Sequence, residues 1–283
     1  MNKVMACWAG CAASLALQAM AAAPRVDAVQ SPAWLERGGR SVPLTPGLEL
    51  QPQDKLHTGA NARVRLALPE GSNVKLGENA QFVIERAEDR GIFRGALTVL
   101  AGAFRFTTNP LLRKRPRDLA IHVKNVTVGI RGTDVWGKST DERTWVVLLE
   151  GHIAVNEDGG APVTMERPND MFQKPRDKAA DVVPVDARQV DAWAEETELA
   201  HEGPATEEAN AWKVGVAQLP SRDAARDMVR TLRAACFAPE VTSANNYFVV
   251  QIPGMGSEAQ ARAVMGNLRG LPGVVLPKVV PGR

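Results

Sequence analysis

Apolar and polar positions alternate along this chain in two rhythms. Residues 26 to about 166 carry short period-two alternations broken by turn residues at roughly ten-residue spacing, with no persuasive amphipathic helix. That pattern predicts an all-β domain: a sandwich, a barrel or a short solenoid. Its strands fall at residues 42–44, 64–68, 73–76, 81–84, 96–100, 103–106, 121–123 and 144–149. Gly47, Gly59, Gly71, Gly77, Gly102, Gly132 and Gly151 punctuate them, glycine supplying positive φ at turns.

From residue 212 the order becomes β-α-β-β-α-β, which predicts a ferredoxin-like α+β module with two helices on one face of a four-stranded sheet. The first strand, 212–219, sets Val214 and Val216 on one side. Ser221 then caps a helix reaching about residue 235, with Ala225, Met228, Val229, Leu232 and Ala235 opposite Arg222, Arg226, Arg230 and Arg233. Residues 239–243 and 247–252 read as a hairpin separated by Ala244-Asn245-Asn246, since asparagine tolerates left-handed backbone. Ser257-x-x-Gln260 is a capping box opening a second helix, on which Ala261, Val264, Met265 and Leu268 mark one face. Residues 270–276 are the expected closing strand. Alternation along the two central strands then assigns the open sheet face. With Val214, Val216, Val250 and Ile252 toward the helices, Lys213, Gly215, Ala217, Tyr247, Val249 and Gln251 point outward.

Between these parts, residues 167–211 shift to Pro, Asp, Glu and Ala. Asp186-x-x-Gln189 can cap a helix near 186–200 carrying Val190, Trp193 and Ala194, with Trp193 as its anchor on the β domain. Residues 201–210 read as a flexible acidic linker. The expected division is 1–21, 26–166, 167–211 and 212–278.

The first of these segments sets the compartment. Lys3, the apolar run from Val4 to Leu17 and the small-x-small site Ala19-Met-Ala21 form a secretory signal peptide, with cleavage expected after Ala21. That run is short for a membrane span, and no later segment approaches the roughly 18 apolar residues one needs. The mature chain is therefore expected to be periplasmic, without a transmembrane segment. Of three cysteines, Cys7 and Cys11 leave with the signal, so only Cys236 remains and no internal disulfide can form. Loss of Lys3 lowers the formal charge from +2 to +1, which says nothing strong about a polyanionic partner.

The residues of the terminal module carry a resemblance. Strand 212–219, helix 221–235, the hairpin and helix 257–268 look like the sporulation-related repeat (SPOR) domain, a bacterial module that binds peptidoglycan. The frame is kept and part of the wording departs: Gly215 stands where the family often has Gln, Ala217 where it has Gly, Gln218 where it has Ser, and Cys236 where it has the helix-ending Gly. The resemblance implies a glycan site on the open face, formed by Lys213, Gly215, Ala217, Gln218, Tyr247, Val249 and Gln251. Small residues would leave room for sugar rings there, and amide, phenol and ammonium groups would meet hydroxyls and carboxylates.

A second resemblance runs through the β domain. Leu50-x-x-x-Asp54-x-Leu56-x-Thr58-Gly59, Leu68-Pro-Glu-Gly71-Ser72, Val128-Gly-Ile-Arg131-Gly132-Thr133-Asp134 and Leu149-Glu150-Gly151-His-Ile-Ala-Val155 occur in the order of the FecR domain. It is a periplasmic domain first known from iron-citrate signalling. Signalling members place an anti-sigma segment and a membrane helix before it, and receive a signal from an outer-membrane transporter. A signal peptide stands there in this chain, so the expectation is a periplasmic or outer-membrane protein partner without direct sigma-factor control.

The remaining polar residues direct little chemistry. Arg131, Thr133 and Asp134 are expected to form a structural cluster, Arg131 pairing with Asp134 across Gly132 and Thr133 bonding to backbone. His57, His122, His152 and His201 lie on different elements without metal-ligand spacing, so neither metal nor cofactor is expected. The run Arg113-Lys-Arg-Pro-Arg117 reads as a solvated loop. No aromatic residues interleave with it, which argues against nucleic acid. No acid pair, zinc site or Cys-His pair suited to wall hydrolysis is recognisable, so no enzyme is expected. The sequence therefore reads as an exported, non-catalytic peptidoglycan-binding protein. Its alternative is a periplasmic signalling or assembly adaptor whose terminal module binds protein.

Overall fold

The computed structural model describes residues 23–89, 92–109, 111, 117–199, 211–235 and 237–282. The segment expected to be a signal peptide, most of the basic run 113–117, the expected acidic linker 201–210 and Cys236 lie outside them.

The β domain consists of two sheets that share one long strand. Sixteen strands follow in order: β1 Arg25–Gln30, β2 Ala33–Arg37, β3 Arg40–Pro43, β4 Lys55–Thr58, β5 Arg63–Ala67, β6 Asn73–Leu76, β7 Gln81–Asp89, β8 Phe93–Thr107, β9 Arg117–Val123, β10 Val126–Ile130, β11 Asp134–Ser139, β12 Arg143–Glu150, β13 Ile153–Glu157, β14 Val163–Met165, β15 Asp170–Pro175 and β16 Asp181–Pro184. One sheet runs β3-β2-β4-β7-β8-β9-β10-β13-β14 and the other β1-β5-β6-β8-β11-β12-β15-β16. The first half of β8 pairs with β7 and, in parallel, with β9; its last six residues pair with β11. The runs expected at 96–100 and 103–106 are thus one strand.

The change of sheet occurs at Gly102. Its φ is +84°, and a Cβ there would lie 2.5 Å from the Ala80 Cα, so only glycine lets β8 pass. On either side of that bend, Leu97, Val99, Phe104 and Phe106 are fully buried in one cluster fed by the inner faces of both sheets. Alternation explains it: each strand sends every second residue inward.

The motif residues of this domain hold main chain in place. Asp54, 1% exposed, accepts two bonds from Arg37 at 2.7 and 2.6 Å and one from the Gln51 N–H at 2.7 Å. Thr58 donates to the Gly77 carbonyl and accepts from the Ala80 N–H, both at 2.7 Å. Buried polar atoms need such partners, which accounts for these residue types here.

A strap crosses the outer face of the second sheet. Helix α1 (Ala187–Ala194) is capped by Asp186, whose carboxylate accepts from the Arg188 N–H at 2.9 Å. Trp193 stacks on Trp136 of β11, ring centroids 5.5 Å apart and 10° from parallel, while Val190 joins Val147 and Met171. The anchoring expected of Trp193 is what the packing shows.

The terminal module follows as β17 Trp212–Leu219, α2 Arg222–Ala234, β18 Glu240–Ala244, β19 Tyr247–Met255, α3 Glu258–Asn267 and β20 Lys278–Pro281. Its sheet order is β18-β19-β17-β20, antiparallel throughout. Ser221 and Ser257 cap the helices by accepting from the Ala224 and Gln260 N–H groups, as their positions predict. Ala225, Met228 and Leu232 of α2 and Ala261 and Val264 of α3 bury against Val214, Val216, Val250 and Ile252. The closing strand departs from expectation. Residues 270–276 turn, with Gly270 and Gly273 at positive φ and Val275 and Leu276 exposed, and the strand paired to β17 is β20. Both stretches contain paired valines, and only pairing with β17 distinguishes them.

Candidate functional site

The face of the terminal sheet away from the helices is built by cross-strand pairs, because directly paired residues point the same way. Val214 pairs with Ile252 and both are buried, so Gly215 and its partner Gln251 point outward, as does Lys213. A bulge then interrupts the alternation at Val216. Beyond it Ala217 pairs with buried Val250 and packs against the helix-side core, while Gln218 pairs with Val249. The outward placement expected of Ala217 is therefore overturned: one extra residue inverts the facing of everything after it. Gln218 becomes the exposed outward residue of that pair. Tyr247, two positions from Val249, stands on the same face and is 48% exposed.

The open face thus brings together Lys213, Gly215, Gln218, Tyr247, Val249 and Gln251 and leaves out Ala217. It also gains Lys278, paired with Gly215, and Val280, paired with Lys213. Lys278 could not be assigned to this face while the closing strand was placed at 270–276. At Gly215 a Cβ would meet only the Lys278 carbonyl, at 3.7 Å. The glycine is not required by packing, so it leaves a shallow floor beside two ammonium groups.

In the β domain, the cluster of Arg131, Thr133 and Asp134 is arranged differently from its expectation. Arg131 is exposed, and Asp134 is bound in bidentate fashion by Arg105 of β8 at 3.0 and 2.8 Å. The paired strands β8 and β11 put Arg105 and Asp134 on one face, a proximity invisible in local spacing. Thr133 engages through its main chain: its N–H donates to Thr108 Oγ1 at 3.1 Å and its carbonyl accepts from the Thr108 N–H, while its own hydroxyl finds no partner among the described residues. Arg105 also reaches Glu198 at 2.9 Å, Lys75 pairs with Glu198, and Lys138 with Glu196 at 2.7 Å. The hydrogen bond that Arg105 donates to Asp134 raises the Arg105 pKa above its ordinary value. These ion pairs clamp the end of the strap onto the sheet.

A second missed site lies where the two domains meet. Ala33 and Leu35 face the β-domain core, so Trp34 between them faces out, yet it is 1% exposed and belongs to the core of the terminal module. Its indole Nε1 donates to the Pro253 carbonyl at 3.2 Å. Beside it Glu36, Ser41 and His57 line a cleft of about 80 Å³ with Arg233, Phe237 and Ala238. His57 Nε2 lies 3.7 Å from Glu36, and its Nδ1 has no partner among the described residues. Burial pushes its pKa below the ordinary imidazole value, against the opposing pull of Glu36. A tryptophan at an outward strand position was the signal available in the sequence.

Among the described residues no group of three His, Cys, Asp or Glu side chains converges as a metal site, and no helix is long and apolar enough to cross a membrane.

The family described as FecR protein matches residues 54–154, and that described as SPOR domain matches residues 208–277. None of the curated proteins compared matches this chain. Two solved structures of a candidate anti-sigma factor from Parabacteroides distasonis align with it at 13% identity and a TM-score of 0.43, covering 69% of this chain and 97% of that one. That likeness is too low to bear on function. The chain carries a FecR domain followed by a SPOR domain, in the order the motifs predict.

Proposed function

We propose that this chain is an exported, non-catalytic peptidoglycan-binding protein whose FecR domain is a protein-interaction or sensing module. The single observation that carries the reading is a SPOR domain whose helix-free sheet face keeps Lys213, Gly215, Gln218, Tyr247, Val249 and Gln251 available. Glycan rings would lie over the low floor at Gly215 and Val249. The phenol of Tyr247 and the amides of Gln218 and Gln251 would exchange hydrogen bonds with sugar hydroxyls, and Lys213 and Lys278 would meet carboxylates.

The test is co-sedimentation of the mature chain with purified peptidoglycan sacculi. Retention is expected, with no release of soluble muropeptides. Gly215→Val should leave the chain folded and weaken retention, because a Cβ there meets only the Lys278 carbonyl, at 3.7 Å, and the branched side chain rises from the floor of the open face. Absence of retention by the folded wild-type chain would refute wall binding.

The inward turn of Ala217 favours a second reading. It shortens the apolar floor, which suits an adaptor whose SPOR domain has exchanged glycan for a protein partner. Failure to sediment, with the fold intact, selects that reading.

A further inference from the structure

Helix α2 covers only part of the sheet beneath it. Val241 of β18 pairs with buried Val250 and so faces the helix side, yet it is 43% exposed. Phe248, paired with Ser243, lies beside it. Together with the flank of α2 they form a groove of about 840 Å³, separate from the open face described above.

The wall of that groove is cationic. Arg222, Arg226, Arg230 and Arg233 line it along α2. Arg222 lies 5.9 Å from the centre of the Phe248 ring. Among the described residues Arg226 and Arg230 are paired only to Asp223 and Asp227 on their own helix, and both arginines are largely exposed, 69% and 79%. Such pairs contribute under about 1 kcal/mol and yield readily to an incoming carboxylate. Four arginines against two aspartates leave the wall positive.

The rim of the groove is an open strand edge. Among the described residues β18 pairs with β19 alone. The connecting turn, Asn245-Asn246, has both residues at positive φ, 50° and 64°, the two-residue hairpin geometry in which Ala244 and Tyr247 form the closing hydrogen-bonded pair. Hydrogen-bonded and open pairs alternate from there, so the N–H and C=O groups of Ser243 and Val241 point away from β19. Lengths also match: Arg222 to Arg233 spans about 16 Å of helix at 1.5 Å per residue, and five extended residues span about the same at 3.3 Å each.

We infer that this groove binds an extended acidic peptide segment of a protein partner, which pairs with the edge of β18 and directs alternate carboxylates at the arginines of α2. An unpaired strand edge supplies affinity through main-chain bonds and the arginine row supplies charge selection.

The probe is a fluorescent Thr-Glu-Thr-Glu-Thr-Glu peptide titrated into the mature chain by anisotropy, with the Thr-Lys counterpart as control. Binding of the acidic peptide alone is expected, weakening as salt rises. Arg226→Glu with Arg230→Glu should weaken it about tenfold or more. Ser243→Pro removes the outward N–H without touching the β19 ladder and should abolish it. The same peptide N-methylated at alternate residues tests the strand edge with the protein unchanged, and should not bind. No binding by the wild-type chain at low salt, or equal binding of the lysine peptide, overturns the inference. Undiminished binding of the N-methylated peptide does so as well, marking a plain anion patch. Sacculus retention is unaffected by either result, because the open face is on the other side of the sheet.

Discussion

The indole N–H of Trp34 and the carbonyl of Pro253, 219 residues apart in sequence, meet at 3.2 Å and join the β domain to the terminal module. The bond is buried, and the Trp34 ring fills out the core of the module it does not belong to. Trp34→Ala is expected to cost about 3 kcal/mol of docking and packing, and Trp34→Phe about 1 kcal/mol through the lost hydrogen bond. Small-angle scattering checks this: the Ala variant should show a larger radius of gyration, and an unchanged value would mean that other contacts hold the domains.

The same interface should respond to pH. Burial opposes the charged form of His57 in the folded protein, with Glu36, Lys55 and Arg233 as the charged groups around it. Its folded pKa is lower than its unfolded pKa, so on acidification the unfolded chain takes up the proton first. Stability is therefore full above about pH 6.5 and declines as pH falls toward the folded pKa. Urea midpoints measured at neutral and mildly acidic pH should differ for the wild type and converge for His57→Gln. Equal slopes in both proteins would remove His57 as the cause.

Asp134 should matter more than the half-exposed Glu198, although both bind Arg105. Asp134→Ala leaves a partly buried guanidinium without its bidentate partner and is expected to cost about 2–3 kcal/mol. Glu198→Gln should cost under about 1 kcal/mol, since its side chain is 37% exposed and the pair is partly screened by solvent. Chemical denaturation of the three proteins ranks them.

Gly102→Ala combines a left-handed backbone with a clash against the Ala80 main chain, and is expected to cost about 3 kcal/mol or more. Gly39→Ala has positive φ, 74°, and no atom within 4 Å of the added carbon, so about 1–2 kcal/mol is expected from backbone strain alone. Thermal unfolding midpoints separate the two contributions.

Much of this protein is determined by residue order alone. The alternating β region, the Ser221 and Ser257 caps, the Asn245-Asn246 hairpin and the buried faces of both terminal helices follow from local periodicity and main-chain chemistry, which act within a few residues. The motifs of both domains are likewise contiguous, so they are legible without coordinates. Tertiary structure decided what depends on pairing between distant segments. It selected 278–281 over 270–276 as the last strand, turned Ala217 inward through a bulge, and gave Asp134 to Arg105 instead of Arg131. It also covered Trp34. In each case local periodicity admits both readings, and a cross-strand or interdomain partner selects one of them.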